Sequence, residues 1–201
     1  MNLLSQISTR EDLLALNERQ LEQLCEEIRQ FLVLNVAHNG GHLASNLGVV
    51  ELTVMLERVF DTSKDRLLFD VGHQSYVHKI LTGRREQFRN LRHFGGLAGF
   101  PKPSESNCDA FVAGHASSAV STALGMARAR TLLKQDYHVI ALMGDGALTG
   151  GVAYGKEAVT AITELVDWIS PVKDYPVEME MLALAQGALR VLTEEENALE
   201  Y

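Results

Sequence analysis

The chain has 201 residues, 46% of them hydrophobic and 22% charged. That leaves room for one ordinary globular domain and excludes disordered, collagen-like and coiled-coil chains. Two cysteines, Cys25 and Cys108, exclude a disulfide scaffold and read as reduced thiols of a cytoplasmic protein. A net charge of -8 argues against non-specific binding of nucleic acid, and no apolar run reaches the length of a membrane span, so neither nucleic acid nor membrane is an expected partner.

Residues 11–36 place Leu13, Leu16, Leu21, Leu24, Ile28, Phe31 and Leu32 at helical spacing with a polar opposite face. Asn39-Gly40-Gly41 breaks that pattern into a loop. A second, largely buried helix is expected from Asn46 or Leu47 through Val59. Arg66–Val71 is a short apolar run ending at Gly72, as in a buried strand. Gln74–Leu81 reads as a short helix closed by Gly83. Residues 93–107 are rich in Gly, Pro and Ser, and a loop of that length is expected to serve function and to be too glycine-rich to pack as core. Ala119–Lys134 reads as a helix and Tyr137–Met143 as a strand. The alternation predicts an α/β fold: a mostly parallel sheet with helices on both faces and with Arg66–Val71 and Tyr137–Met143 as neighbouring central strands.

The last 47 residues differ from the rest. Residues 1–154 carry 15 basic and 16 acidic side chains, whereas residues 155–201 carry 3 and 10. Two domains are therefore drawn, 1–154 and a divergent acidic helical tail at 155–201. In the tail Lys156–Ile169 and Val177–Leu192 are amphipathic helix candidates, expected to fold back over apolar surface of the main part.

Gly144-Asp145-Gly146 follows an apolar strand directly. Ligands of open α/β sheets bind at strand C-terminal ends, where glycines admit phosphate groups close to the backbone. Asp145 among them suits a divalent cation that bridges to phosphates; the run is equally that of a tight Asp-Gly turn. His42, His73 and His115 each follow a glycine. Histidines so placed are ordinary loop residues or groups facing a cleft and able to move protons. His78, His93 and His138 belong to no constellation. Ser117 and Ser118 lack the surroundings of a nucleophile elbow.

Four strings go beyond these generic readings. They are Gly41-His42-Leu43-Ala44-Ser45-Asn46-Leu47-Gly48, Asp70-Val71-Gly72-His73-Gln74-Ser75-Tyr76-Val77-His78-Lys79, Gly95-Gly96-Leu97-Ala98-Gly99-Phe100-Pro101 and Gly144-Asp145-Gly146-Ala147-Leu148-Thr149-Gly150-Gly151. In this order and spacing they resemble the N-terminal part of the 1-deoxy-D-xylulose-5-phosphate synthase family over about residues 10–154. This is a transketolase-like family that uses thiamine diphosphate and Mg2+. The resemblance implies the thiamine diphosphate-binding fold, and a reaction in which pyruvate and glyceraldehyde 3-phosphate give 1-deoxy-D-xylulose 5-phosphate and CO2 for isoprenoid, thiamine and pyridoxal synthesis. It implies Asp145 as a magnesium ligand. It implies His73, Gly114, His115, Ala116, Gly146 and Ala147 as cofactor contacts and His42 as a catalytic group near the reacting carbon. His42, His73, His115 and Asp145 are expected to line one cleft at the strand C-terminal ends, bordered by the loop 93–107. Ala116 stands where the family usually carries serine, which removes a hydroxyl contact.

The likeness stops after Tyr154. The family's second metal ligand is an asparagine ending a later strand, and no asparagine occupies that window here; Asp174, near the spacing, is flanked by Pro171 and Pro176. The domain that supplies the glutamate activating the aminopyrimidine ring has no counterpart. The sequence thus reads as truncated relative to the family. It is either a subunit that works with a second chain or as a homodimer, or a remnant without catalysis of its own.

Overall fold

The computed structural model describes residues 2–144 and 147. The expected tail helices, Asp145 and Gly146 lie outside the described residues. In chain order the elements are α1 (Arg10–Leu14), α2 (Glu18–Asn39), α3 (Leu43–Leu47), α4 (Val50–Val59), β1 (Arg66–Phe69), α5 (Tyr76–Lys79), α6 (Ala119–Leu132) and β2 (Val139–Leu142).

The first predicted helix is two helices. Asn17 caps α2 by accepting from the Gln20 amide at 3.0 Å, and the Gln20 side chain accepts from the Asn17 amide at 2.9 Å. This reciprocal box restarts the helix at Glu18, with three residues between it and the end of α1. The carbonyls freed at the break are satisfied by Arg58, whose guanidinium donates to Leu13 and Leu16 at 3.1 and 2.9 Å. Arg10 returns the service, donating to the Glu57, Arg58, Val59 and Phe60 carbonyls at the end of α4, where a helix leaves its last carbonyls without partners. The second predicted helix is likewise divided, into α3 and α4, at Gly48–Val49.

On α2, Leu24, Ile28, Leu32 and Val36 recur every four residues and are all buried. They form one core with Val50 and Val54 of α4, Tyr76 and Val77 of α5, and Leu3, Leu4 and Ile7 of the N-terminal segment. Leu97 joins this core, so part of the glycine-rich loop does pack as core, contrary to expectation: its flexible glycines fold one leucine inward. β1 and β2 pair in parallel with Arg66 opposite Val139 and Phe69 opposite Leu142. The two expected strands are therefore neighbours in a small parallel sheet among helices. Leu67, Leu68 and Phe69 are buried as a central strand requires. β2 is only partly buried, and Ala141 is exposed, so the described residues do not enclose it.

Candidate functional site

Because β1 and β2 run parallel, their C-terminal ends lie side by side. There the backbone leaves regular structure. Val71 has φ +58°, a conformation that a β-branched side chain rarely adopts, and Ser117 has φ +64°. A cavity of about 480 Å³ opens at this point, lined by Ser45, Asp70, Val71, His73, Gln74, Ala116, Gly144 and Ala147 among others. Its size suits part of a cofactor-sized ligand.

Asp70 holds the floor together. One carboxylate oxygen accepts from the Ser117 amide at 2.8 Å and the other from the Ala119 amide at 3.0 Å, so the end of β1 caps the start of α6. Both oxygens are consumed and the charge faces a helix N-terminus. The carboxylate is thus partly compensated where an anion would enter. Ala147 is tied in through its carbonyl, which accepts from the Ser117 hydroxyl at 2.7 Å. Ser45 Oγ and Gln74 Oε1, on the lining residues, are buried with no protein partner, and such groups call for a ligand or ordered water.

The structure brings His42 and His73 together, with ring centroids 5.0 Å apart. The agent is Asn46, fully buried, which sequence reasoning passed over. Its amide nitrogen donates to the His42 carbonyl at 2.6 Å and the His73 carbonyl at 2.8 Å, and its oxygen accepts from the Tyr76 amide at 2.8 Å. Burial, then the neighbouring His42, hold the His73 pKa below the ordinary histidine value, while Asp70 pulls the other way. Phe100 lies 6.3 Å from His42, and Pro101 crosses over Gly72 so closely that a Cβ there would stand 2.7 Å from its ring. The tip of the long loop thus borders the site. His115 is exposed, and its neighbour Ala116, not His115 itself, is on the cavity lining; Gly114 is open to solvent. Gly144 lines the cavity, and Asp145 and Gly146 follow it outside the described residues.

Two histidines set aside as unconnected are in fact bonded. The His138 ring donates from Nδ1 to Asp65 over 3.1 Å. His78 is buried between the carboxylates of Glu57 and Asp109. Among the described residues no three His, Cys, Asp or Glu side chains are arranged to hold a metal ion, and no helix is long and apolar enough to cross a membrane. Cys25 and Cys108 are free thiols.

The sequence model of the 1-deoxy-D-xylulose-5-phosphate synthase family matches residues 4–169. The chain belongs to this family. The match runs past both ends of the stretch in which the resemblance is legible by eye. Among curated relatives, 1-deoxy-D-xylulose-5-phosphate synthase of Natranaerobius thermophilus is 57% identical over 152 residues, covering 76% of this chain and 24% of the relative. The synthase of Pelotomaculum thermopropionicum is 57% identical over the same length and shares. That of Clostridium beijerinckii is 56% identical over 153 residues, 76% of this chain and 25% of the relative. The chain thus spans about a quarter of the length of these synthases, and within the family it resembles their N-terminal, cofactor-binding part.

Proposed function

We propose that the cavity at the strand ends binds the diphosphate half of thiamine diphosphate together with Mg2+. In this reading the chain provides that part of a 1-deoxy-D-xylulose-5-phosphate synthase. The parallel pair is then the start of the thiamine diphosphate-binding fold, a mostly parallel sheet with helices on both faces. The observation that carries the reading is the meeting of His73, Ala116, Gly144 and Ala147 around one cavity at the C-terminal ends of two parallel strands, in a chain of this family. The residues present fit such a group: the buried Ser45 hydroxyl lacks a partner and can donate, Asp70 is already compensated, and His73 adds a donor.

In this reading Gly114, His115, Ala116, Gly146 and Ala147 contact the diphosphate and Asp145 holds Mg2+. Bound thiamine diphosphate supplies the electron sink for decarboxylating a 2-oxo acid. The chain's own residues position and protect. His73, kept neutral by burial and by His42, can donate one ring N–H without adding charge. His42, exposed beside it, is placed to bind substrate oxygen or move a proton. Phe100 and Pro101 shield the pair from water on one side. The overall reaction, pyruvate plus glyceraldehyde 3-phosphate to 1-deoxy-D-xylulose 5-phosphate and CO2, belongs to an assembly in which a second chain carries the remaining synthase domains.

Calorimetric titration of the chain with thiamine diphosphate, with and without Mg2+, tests this. Saturable binding that needs Mg2+ and is lost in Asp145→Asn is expected. Heat of dilution alone, or binding indifferent to both the metal and Asp145, would overturn it. The competing reading, an inactive remnant, predicts that null result.

A further inference from the structure

Away from the cavity, α4, α5, the turn after α5 and the segment from the long loop to Asp109 converge on a cluster of six charged side chains, five of them buried and Glu105 half-buried. His78 is fully buried. Its Nδ1 lies 2.5 Å from Glu57 Oε1 and its Nε2 lies 2.9 Å from Asp109 Oδ1, while the Phe69 ring of β1 stands 5.4 Å away. Carboxylate oxygens only accept, so a ring facing one on each nitrogen must carry both protons. Asp109 is also gripped by Arg84 through two bonds of 2.7 and 2.8 Å. Lys79 donates to Glu105 at 2.6 Å and lies 3.9 Å from Asp109. Three carboxylates thus face Lys79, Arg84 and His78, and the charges balance only with His78 protonated. Buried ions tolerate an unpaired member poorly, which gives that balance its force.

Two of these carboxylates hold the loop: Glu105 within it and Asp109 just after it. Glu105 accepts from the Ala98 amide at 2.8 Å and Asp109 from the Lys102 amide at 2.6 Å. The cluster therefore fixes the bend that carries Phe100 and Pro101 onto His42 and Gly72. We propose that protonated His78 is the positioning residue of a charge-balanced latch. With its proton the latch holds residues 98–109 over the rim of the cavity, and loss of the proton releases them. This holds whether or not the cavity binds thiamine diphosphate. Burial opposes the imidazolium, yet Glu57 and Asp109 outweigh it and raise the His78 pKa. The same contacts hold the Asp109 carboxyl well below the usual carboxylate range against its own burial. A group whose pKa is raised in the closed state contributes fully below its ordinary value of 6.5 and loses that contribution as pH climbs toward the raised value.

Backbone amide exchange of the whole chain, read by mass spectrometry and corrected for the intrinsic rate, tests the latch between roughly pH 6 and 10. The opening constant of peptides within 98–109 is expected to rise about tenfold per pH unit above pH 6.5, ahead of any change in α2. Nitrogen NMR of the His78 ring is expected to show both nitrogens protonated at pH 7. Asp109→Asn is expected to leave the segment open at every pH; should that variant fail to fold, the wild-type titration decides. Protection that stays flat with pH, loss of protection together with α2, or a neutral His78 ring at pH 7 would each overturn the proposal.

Discussion

Asn46 spends its side-chain amide on three main-chain groups, the His42 and His73 carbonyls and the Tyr76 amide. Asn46→Ala removes one bond from each of two part-buried carbonyls and leaves the buried Tyr76 amide unpaired, at about 1 kcal/mol each. A destabilisation of about 3 kcal/mol is expected in denaturant titration, and the His73 pKa should rise toward its ordinary value as His42 drifts from it. His42→Gln isolates that second effect. His73 is depressed first by burial and then by His42. The fold therefore favours the neutral ring, with stability present above the ordinary value of 6.5 and lost as pH falls through the depressed value. Removing the chargeable neighbour should lift the His73 pKa and shrink this acid-side loss, seen by proton NMR titration and by melting temperature against pH. An unmoved His73 would show that burial alone sets it. The pairing of His42 with His73 was legible because glycines mark both. Asn46 was not, since a lone asparagine on a short helix looks like any solvated polar residue and its partners lie 4, 27 and 30 positions away.

At the scale of elements, sequence patterns located α2, α4, α5, α6 and both strands, but not α3, which lies mostly in the expected loop, nor where the helices break. Those breaks depend on partners distant in sequence, Arg58 for the gap before α2 and the His42 and His73 carbonyls for α3. His78, Lys79 and Arg84 illustrate the same limit: between a strand and a loop they look like surface charge, and only Glu57 and Asp109, brought in from other elements, bury them. The junction of β1 with the long loop is the tightest joint beside the cavity. At Gly72, φ is +94° and a Cβ would meet Pro101 at 2.7 Å and Ala113 at 2.9 Å. Gly72→Ala is expected to cost about 2 kcal/mol or more through strain and overpacking. It should also raise amide exchange in residues 98–109; a variant as stable as wild type would mean the loop yields freely there.

For the whole molecule, the likeness to the family was legible because glycine- and histidine-rich strings are the places where backbone must approach a ligand. In the acidic segment 155–201 the composition and two amphipathic patterns were legible, but not the family likeness that runs on to residue 169. Because the chain spans about a quarter of the length of the synthases it resembles, the purified chain is expected to form no 1-deoxy-D-xylulose 5-phosphate from pyruvate and glyceraldehyde 3-phosphate. Turnover should appear when a chain carrying the remaining synthase domains is added. Loss of an acid–base group costs about 10²–10⁴-fold, so a coupled assay separates the two cases, and product from the chain alone would refute the expectation.

The Arg10–Arg58 exchange between α1 and α4 has a consequence for tolerance to mutation. Every acceptor in it is a main-chain carbonyl, so the joint does not register which side chains its acceptors carry. Exposed Val59 can be replaced without loosening it. The arginines cannot be, because only a planar fork of N–H groups spans several carbonyls at once. Arg10→Lys should lower the denaturation midpoint while Val59→Thr leaves it in place. The fold's memory at this corner thus resides in two guanidinium groups.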